Sequence, residues 1–463
     1  MGDRALRIVH VTGEVAPYSK TGGLGDVLAE LPRFQRAAGL DARVLTPLYG
    51  HIDRARLTPG EQTPVLTLGG KSFQAKLWHD DGHITFVDIP GVLDRPHNYG
   101  DGNGEYPDNP LRFAALCKVA AALWPSTDVF HLHDWQAGLT ALYLGGRRPA
   151  LLTVHNLAYQ GLCGFEWADR LDIPPALRSA DGVEYYGRIS LLKAGLVLAD
   201  RLTTVSPTYA REIQSEPLGL GLAGLFRHRR AGLEGILNGI DPAEWNPAAD
   251  PALPATFSAA DLTGRKACQD ALRREFGLAD GPIFGVVSRA AGQKGLDLLA
   301  EAADPIVRMG GKFAVLSAGE RGVVAKLRAV ADRHPTAFTL IEDFDPARAR
   351  RVYAGADFLV VPSRYEPCGL AQLIAMRYGA VPVVRRTGGL ADTVEDGVTG
   401  LCFDDVDPGA LAHALHRAFT LAADRAALAA MQARGLARDW SWDGPAAAYA
   451  ALYRRLTAGG RPV

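Results

Sequence analysis

The chain has 463 residues, 48% of them hydrophobic, with 51 glycines and 29 prolines: too long for one core and about right for two α/β domains with frequent turns. Its formal net charge of −1 argues against nucleic acid or an anionic membrane as the main partner, and no apolar run approaches membrane-spanning length. Five scattered cysteines without a CxxC pair exclude a disulfide framework or a zinc site and fit reduced thiols in a cytoplasmic protein.

The N-terminus passes straight into an expected strand over Arg7–Val15, with no signal peptide. The turn that follows carries Lys20, Gly22 and Gly23, then a helix runs to about Ala38. The G-x-G-x-x-G spacing of a dinucleotide fingerprint is not met. Glycines beside a helix N-terminus, with Lys20 as a cation, suit a phosphate, and the plain alternative is a tight turn with a solvated lysine. Ala42–Pro47 reads as the second strand. In Tyr106–Phe113, Asp108 and Asn109 are expected to cap a helix that begins near Pro110.

Val129–His133 is an apolar run that puts His131 and His133 on one strand face, which invites a metal. No third ligand stands nearby in the sequence, so metal is set aside. Asp134 closes that strand. Leu151–Val154 is the next, and it delivers His155 and Asn156 at its carboxyl end; a lone histidine is more often structural than functional. Tyr185–Leu198 reads as one helix with an apolar stripe. Leu233–Leu237 reads as a strand ending at Asn238.

Prolines at 242, 247, 251 and 254 mark residues 241–262 as a linker with few contacts, suited to a hinge. The expected domains are then 1–240, the hinge 241–262, a second domain over 263–440, and a C-terminal helix within 441–463. The second run of strand–helix units opens at Ile283–Val287, whose exit loop holds Arg289 and Lys294. Two cations in a strand-to-helix loop make a convergent anion site; the alternative is a pair of solvated surface charges. Phe313–Leu316 and Phe338–Ile341 are further strands, followed by Phe344.

The densest stretch is Val360–Val394. A buried strand ends at Pro362, a turn-rich loop carries Glu366, Cys368 and Gly369, and a helix begins at Leu370. Val381–Val384 is the next strand, and Thr387, Gly388 and Gly389 open the next helix. Both loops sit at strand carboxyl ends and helix N-termini, where ligands and anions bind in open α/β sheets. Glu366 either stabilises the helix dipole or accepts hydroxyl hydrogen bonds. Alanine-rich helices over 408–438 and a last helix over Pro445–Leu456 complete the chain.

The strings SRYEPCGLAQL and VRRTGGLADTV resemble the carboxyl-terminal signature of bacterial glycogen synthases and plant starch synthases. KTGGLGDV around Lys20 is similar to the lysine–glycine motif with which these enzymes hold the sugar nucleotide. The resemblance spans about residues 7 to 456. It implies the GT-B fold, two Rossmann-like domains facing a central cleft, with the last helix crossing back to the first domain. It implies retaining transfer of glucose from ADP-glucose to the non-reducing 4-hydroxyl of an α-1,4-glucan.

By resemblance, Lys20, His155, Arg289, Lys294 and Glu366 are the catalytic set, with Arg289 and Lys294 on the diphosphate. Gly22, Gly23, Asp134, Asn156, Asn238, Cys368, Gly369, Leu370, Thr387, Gly388 and Gly389 contact substrates. Phe344 stacks on adenine or is a core residue. Many retaining enzymes of this fold carry a second glutamate eight positions after the first; here that position is Ile374. Neither a metal nor pyridoxal phosphate is expected. A glucan phosphorylase shares the fold but needs a lysine Schiff base, for which no motif is present.

Overall fold

The computed structural model describes residues 4–80, 82–102, 104–343 and 345–458. Two compact units divide the chain: one takes residues up to Val205, Ala210–Asn238 and the segment from Trp442 onward, the other Ser206–Tyr209 and Gly239–Ser441. No described helix is long and apolar enough to cross a membrane.

The first unit is built on a nine-stranded sheet. From one edge the order is Leu233–Gly235, Arg201–Thr204, Ala150–Val154, Val129–His133, Arg7–Val11, Asp41–Pro47, Ile84–Asp88, Lys76–His79 and Thr58–Pro59. The first seven run parallel, as the continuous apolar runs of strands buried on both faces require. Numbered along the chain, these seven lie 7-6-5-4-1-2-3, so the order reverses between Arg7–Val11 and Val129–His133. Ligands in open α/β sheets bind beyond the strand ends at such a reversal. The opening strand stops at Val11, four residues before the expected Val15, and residues 12–15 leave the sheet as a loop over this point.

The helix Gly23–Ala37 buries Leu24, Val27, Leu28 and Leu31 on one stripe, and Gln35 continues that stripe as a buried polar residue. Against the same core pack Trp442, Tyr449 and Tyr453 of the segment that ends in the helix Asp443–Ala458. The expected single helix over Tyr185–Leu198 divides in two. Glu184–Tyr185 pairs antiparallel with Arg188–Ser190 through a turn at Tyr186 and Gly187, both at positive φ. A helix, Leu191–Leu198, then starts at Ser190, whose hydroxyl accepts the Lys193 amide. The tight turn and the cap override the helical spacing of the apolar residues.

The second unit holds a six-stranded parallel sheet in the order Phe338–Ile341, Lys312–Leu316, Ile283–Val287, Phe358–Val361, Val381–Arg385, Leu401–Phe403. Along the chain this reads 3-2-1-4-5-6, the order of dinucleotide-binding sheets, reversing between Ile283–Val287 and Phe358–Val361. Phe338, Phe313, Phe284 and Phe358 stand in register across four strands, with neighbouring ring centroids 5.1–5.4 Å apart, and fix the pairing. Residues 241–262 do not run free as a sparse linker. Phe257 and Asp250 are buried, Trp245 packs on Tyr353 and Tyr378, and the Tyr378 hydroxyl donates to Asp250 at 2.5 Å. The prolines shape a strap whose aromatic residues are drawn into the second unit's core.

Candidate active site

In the second unit, the loops leaving Ile283–Val287, Phe358–Val361 and Val381–Arg385 are locked together. Lys294 reaches Glu366 at 2.6 Å, and the buried Ser363 hydroxyl donates to the same carboxylate oxygen at 2.9 Å. Arg364 clamps Asp297 with two bonds of 2.7 Å, and its own amide donates to the Gln293 carbonyl at 2.8 Å. Gly295 adopts φ 65°, and a methyl there would collide with the Pro362 carbonyl. Gly388 adopts φ 43°, and a methyl would overlap the Glu366 carbonyl; one at Gly389 would overlap that of Cys368. The paired glycines are therefore the floor on which the Glu366–Gly369 loop lies, and the Gly389 amide donates to Glu366 O at 3.1 Å. Cys368 is buried, Gly369 takes φ 75°, Leu370 caps the helix Ala371–Arg377, and Gln372 ties the Cys368 and Gly369 carbonyls to Thr393. Thr387 is the buried N-cap of Gly388–Thr393.

Arg289 stands exposed in the first of these loops, while Lys294 is committed to Glu366. Glu366 is 6% exposed and lies at the switch point, so a carboxylate is held where a ligand would bind. Ile374 is buried in the core of this unit and offers no second carboxylate. Phe344 lies outside the described residues.

In the first unit, Lys20 is exposed and pairs with Asp26 at 2.7 Å. Gly22 caps the helix that Gly23 opens. The amides of Thr21 and Gly22 donate to the Glu14 carboxylate at 2.6 and 3.3 Å, so a protein anion already satisfies two of the donors expected for a phosphate. Glu14 also accepts from the Tyr99 hydroxyl at 2.7 Å, and burial raises its pKa against the pull of those bonds. Sequence reasoning missed Glu14 and Tyr99. The signal was an acid three residues past an apolar strand, after Gly13, where a side chain would press on Gln136 and Tyr99.

Asp134 is buried at positive φ, and one of its oxygens accepts the backbone amides of His155 at 2.6 Å and Asn156 at 3.4 Å. Burial pushes its carboxyl up to about 7. Its visible task is to hold the 155–156 backbone. The Asn156 side chain forms a local turn with the Ala158 amide. Asn238 is buried, and its Oδ1 finds no hydrogen-bond partner among the described residues. Capping by Asp108 and Asn109 is not observed at the helix Asn109–Ala122. Arg95 captures the Asp108 carboxylate, and Asn109 turns inward to the Tyr99 carbonyl and to Arg112, which is wholly buried and needs acceptors.

The third histidine near His131 and His133 exists, contrary to the sequence argument: His10 sits directly beside His131 on the adjacent parallel strand. Each ring nitrogen of the three is engaged. His10 meets Gln35 Oε1 at 2.8 Å and His133 at 3.0 Å; His133 meets His155 at 2.9 Å; His131 meets the Tyr453 hydroxyl at 2.7 Å and Thr153 at 2.6 Å. Gln35 Nε2 donates to the Tyr453 hydroxyl at 3.0 Å. Burial lowers the pKa of His10 to about 4 and of His155 to about 3, and that of His131 and His133 well below the usual range. The four rings are neutral at physiological pH, and hydrogen bonds occupy the nitrogens that a metal would need.

Residues 7–228 match the family described as starch synthase catalytic domain, and residues 281–420 match glycosyl transferases group 1. A glycogen synthase of Granulibacter bethesdensis is 43% identical over 480 residues, covering 97% of this chain and 99% of that one. A glycogen synthase of Rhodopseudomonas palustris strain HaA2 is also 43% identical, over 477 residues, covering 98% and 99%. Among solved structures, the catalytic domain of starch synthase IV from Arabidopsis thaliana, bound to ADP and acarbose, superposes with a TM-score of 0.90 at 30% identity, covering 98% of this chain and all of that one. The fold class is accordingly the α/β GT-B type. With relatives this similar from end to end, the chain belongs to the glycogen synthase family of glycosyltransferases.

Proposed function

We propose that this chain elongates an α-1,4-glucan by moving glucose from ADP-glucose to the non-reducing 4-hydroxyl, with retention at the anomeric carbon. The observation that carries the reading is the Lys294–Glu366 pair, set on interlocked loops at the switch point of the second sheet, in a chain similar to glycogen synthases throughout. Arg289 and Lys294 neutralise the diphosphate as the glycosyl bond breaks. The Lys294 ammonium has three donors and gives one to Glu366. Glu366 accepts from glucose hydroxyls, and Lys20 adds charge for the donor. His155, held by Asp134 at its backbone, contacts the sugar.

The position of a second glutamate is the buried Ile374, so the reading uses no covalent glycosyl-enzyme. The C1–O bond to the diphosphate breaks as the acceptor oxygen bonds to C1 from the same face. The acceptor proton passes to the departing phosphate oxygen, and ADP leaves. The reading needs neither pyridoxal phosphate nor a divalent metal, because lysine, arginine and helix ends supply the positive charge. The decisive experiment is turnover with ADP-glucose and glycogen: labelled glucose should enter α-1,4 chains with release of ADP. No incorporation, or release of free glucose alone, would sink the proposal. Activity should survive exhaustive EDTA, and a loss restored only by Mg²⁺ or Mn²⁺ would overturn the metal-free part.

A further inference from the structure

Four histidines of the first unit, His10, His131, His133 and His155, form part of one unbroken hydrogen-bond chain. It runs from Thr203 through Thr153, His131, Tyr453, Gln35, His10 and His133 to His155, with every link between 2.6 and 3.0 Å. A neutral imidazole donates at one nitrogen and accepts at the other. Such a ring passes the direction of one hydrogen bond to the next, so the direction chosen at one residue decides all the others.

Gln35 makes the choice. Its amide nitrogen donates to the Tyr453 oxygen, which leaves its carbonyl oxygen facing His10 Nε2. His10 must then carry its proton on Nε2 and accept at Nδ1. His133 must donate from Nε2 and accept at Nδ1, and His155 must donate from Nε2. On the other side the Tyr453 hydroxyl is free to donate to His131 Nδ1, which passes the direction on to Thr153. We propose that Gln35, acting through His10 and His133, is a positioning residue that holds His155 in its Nε2–H tautomer, with Nδ1 presented as an acceptor for a sugar hydroxyl. The sugar contact rests on the functional reading above; the tautomer does not. Neutrality is a condition of the device, since a doubly protonated ring would donate at both ends and break the direction. Burial supplies that condition. His155 Nδ1 has no protein partner among the described residues, as an acceptor reserved for a ligand requires.

The test uses the full chain labelled with ¹⁵N-histidine. His155 is assigned by its loss in His155→Gln, and its tautomer is read from two-bond ¹H–¹⁵N correlations. The expected result is a proton-bearing Nε2 and a bare Nδ1 in the ligand-free protein. A protonated Nδ1 overturns the proposal whatever the kinetics. Gln35→Leu removes the source of direction, so both tautomers should be seen and kcat/KM should fall about 3–10-fold, the worth of one hydrogen bond. Gln35→Glu, its carboxyl kept neutral by the same burial, offers a carbonyl to His10 and an O–H to Tyr453, so the tautomer should persist and kcat/KM stay within about 2-fold. A packing role alone predicts equal losses for both variants with the tautomer unmoved, and that outcome also overturns the proposal. Full transfer by His155→Gln would sink the sugar contact and leave the tautomer result standing.

Discussion

Arg289 and Lys294 share a loop but differ in what else they hold. Arg289 is exposed, so Arg289→Ala should leave the unfolding midpoint unchanged and lower kcat about 10²-fold, as loss of a donor to developing charge does. A rise in KM with kcat intact would show that it binds ground state and transition state alike. Lys294→Ala additionally strands Glu366, which is 6% exposed, and should cost about 1–3 kcal/mol of stability as well as the rate. Adding Glu366→Gln to Lys294→Ala should recover much of that stability in a urea titration and none of the turnover. Recovery of turnover would mean that the pair is structural only.

At the scale of elements, glycines decide where loops lie. Gly388→Ala places a methyl on the Glu366 carbonyl, so the loop above must shift while the sheet stays. Secondary structure by circular dichroism should be unchanged and turnover should fall about 10²-fold, the cost of misplacing a reacting group by an ångström. Wild-type turnover would show that the loop tolerates displacement. These loops were legible in the sequence because Pro362, Gly369 and the Gly388–Gly389 pair punctuate apolar runs directly. His10 was not legible as a neighbour of His131: the two stand side by side only because strands one and four of the chain are adjacent in the sheet. Gln35 looked like any polar residue of a helix, although its place on the buried stripe marked it. Asp108 misled because capping is a local preference, and Arg95 offered a stronger partner from outside the helix.

For the molecule as a whole, the buried imidazoles set its response to acid. The unfolded chain protonates them near pH 6.5, whereas in the folded state His10 titrates at about 4 and His155 at about 3, with His131 and His133 also well below their ordinary value. Unfolding therefore takes up protons between about pH 4 and 6.5, and stability is lost as pH falls through that window. Asp134, held near 7, and Glu14, also raised, act with the opposite sign, but four rings outweigh two carboxyls. The urea midpoint should drop from pH 7 to pH 5, by up to about 1.4 kcal/mol per pH unit for each net proton. His131→Phe should make that dependence shallower, and a flat profile in the wild type would mean that the rings take up protons over the same range folded as unfolded.

Trp442, Tyr449 and Tyr453 complete the core of the first unit, yet Gly239–Ser441, all of the second unit but Ser206–Tyr209, lies between Asn238 and them in the chain. Domains emerging from the ribosome usually close one after another. Here the earlier one is left with an open seam until the later one has been synthesised. Tyr453 is also the acceptor that orients the Gln35 amide, so the same delay leaves Gln35 without its anchor in every nascent copy. A chain stalled before Trp442 should expose the apolar face of Gly23–Ala37 and become a client for chaperones.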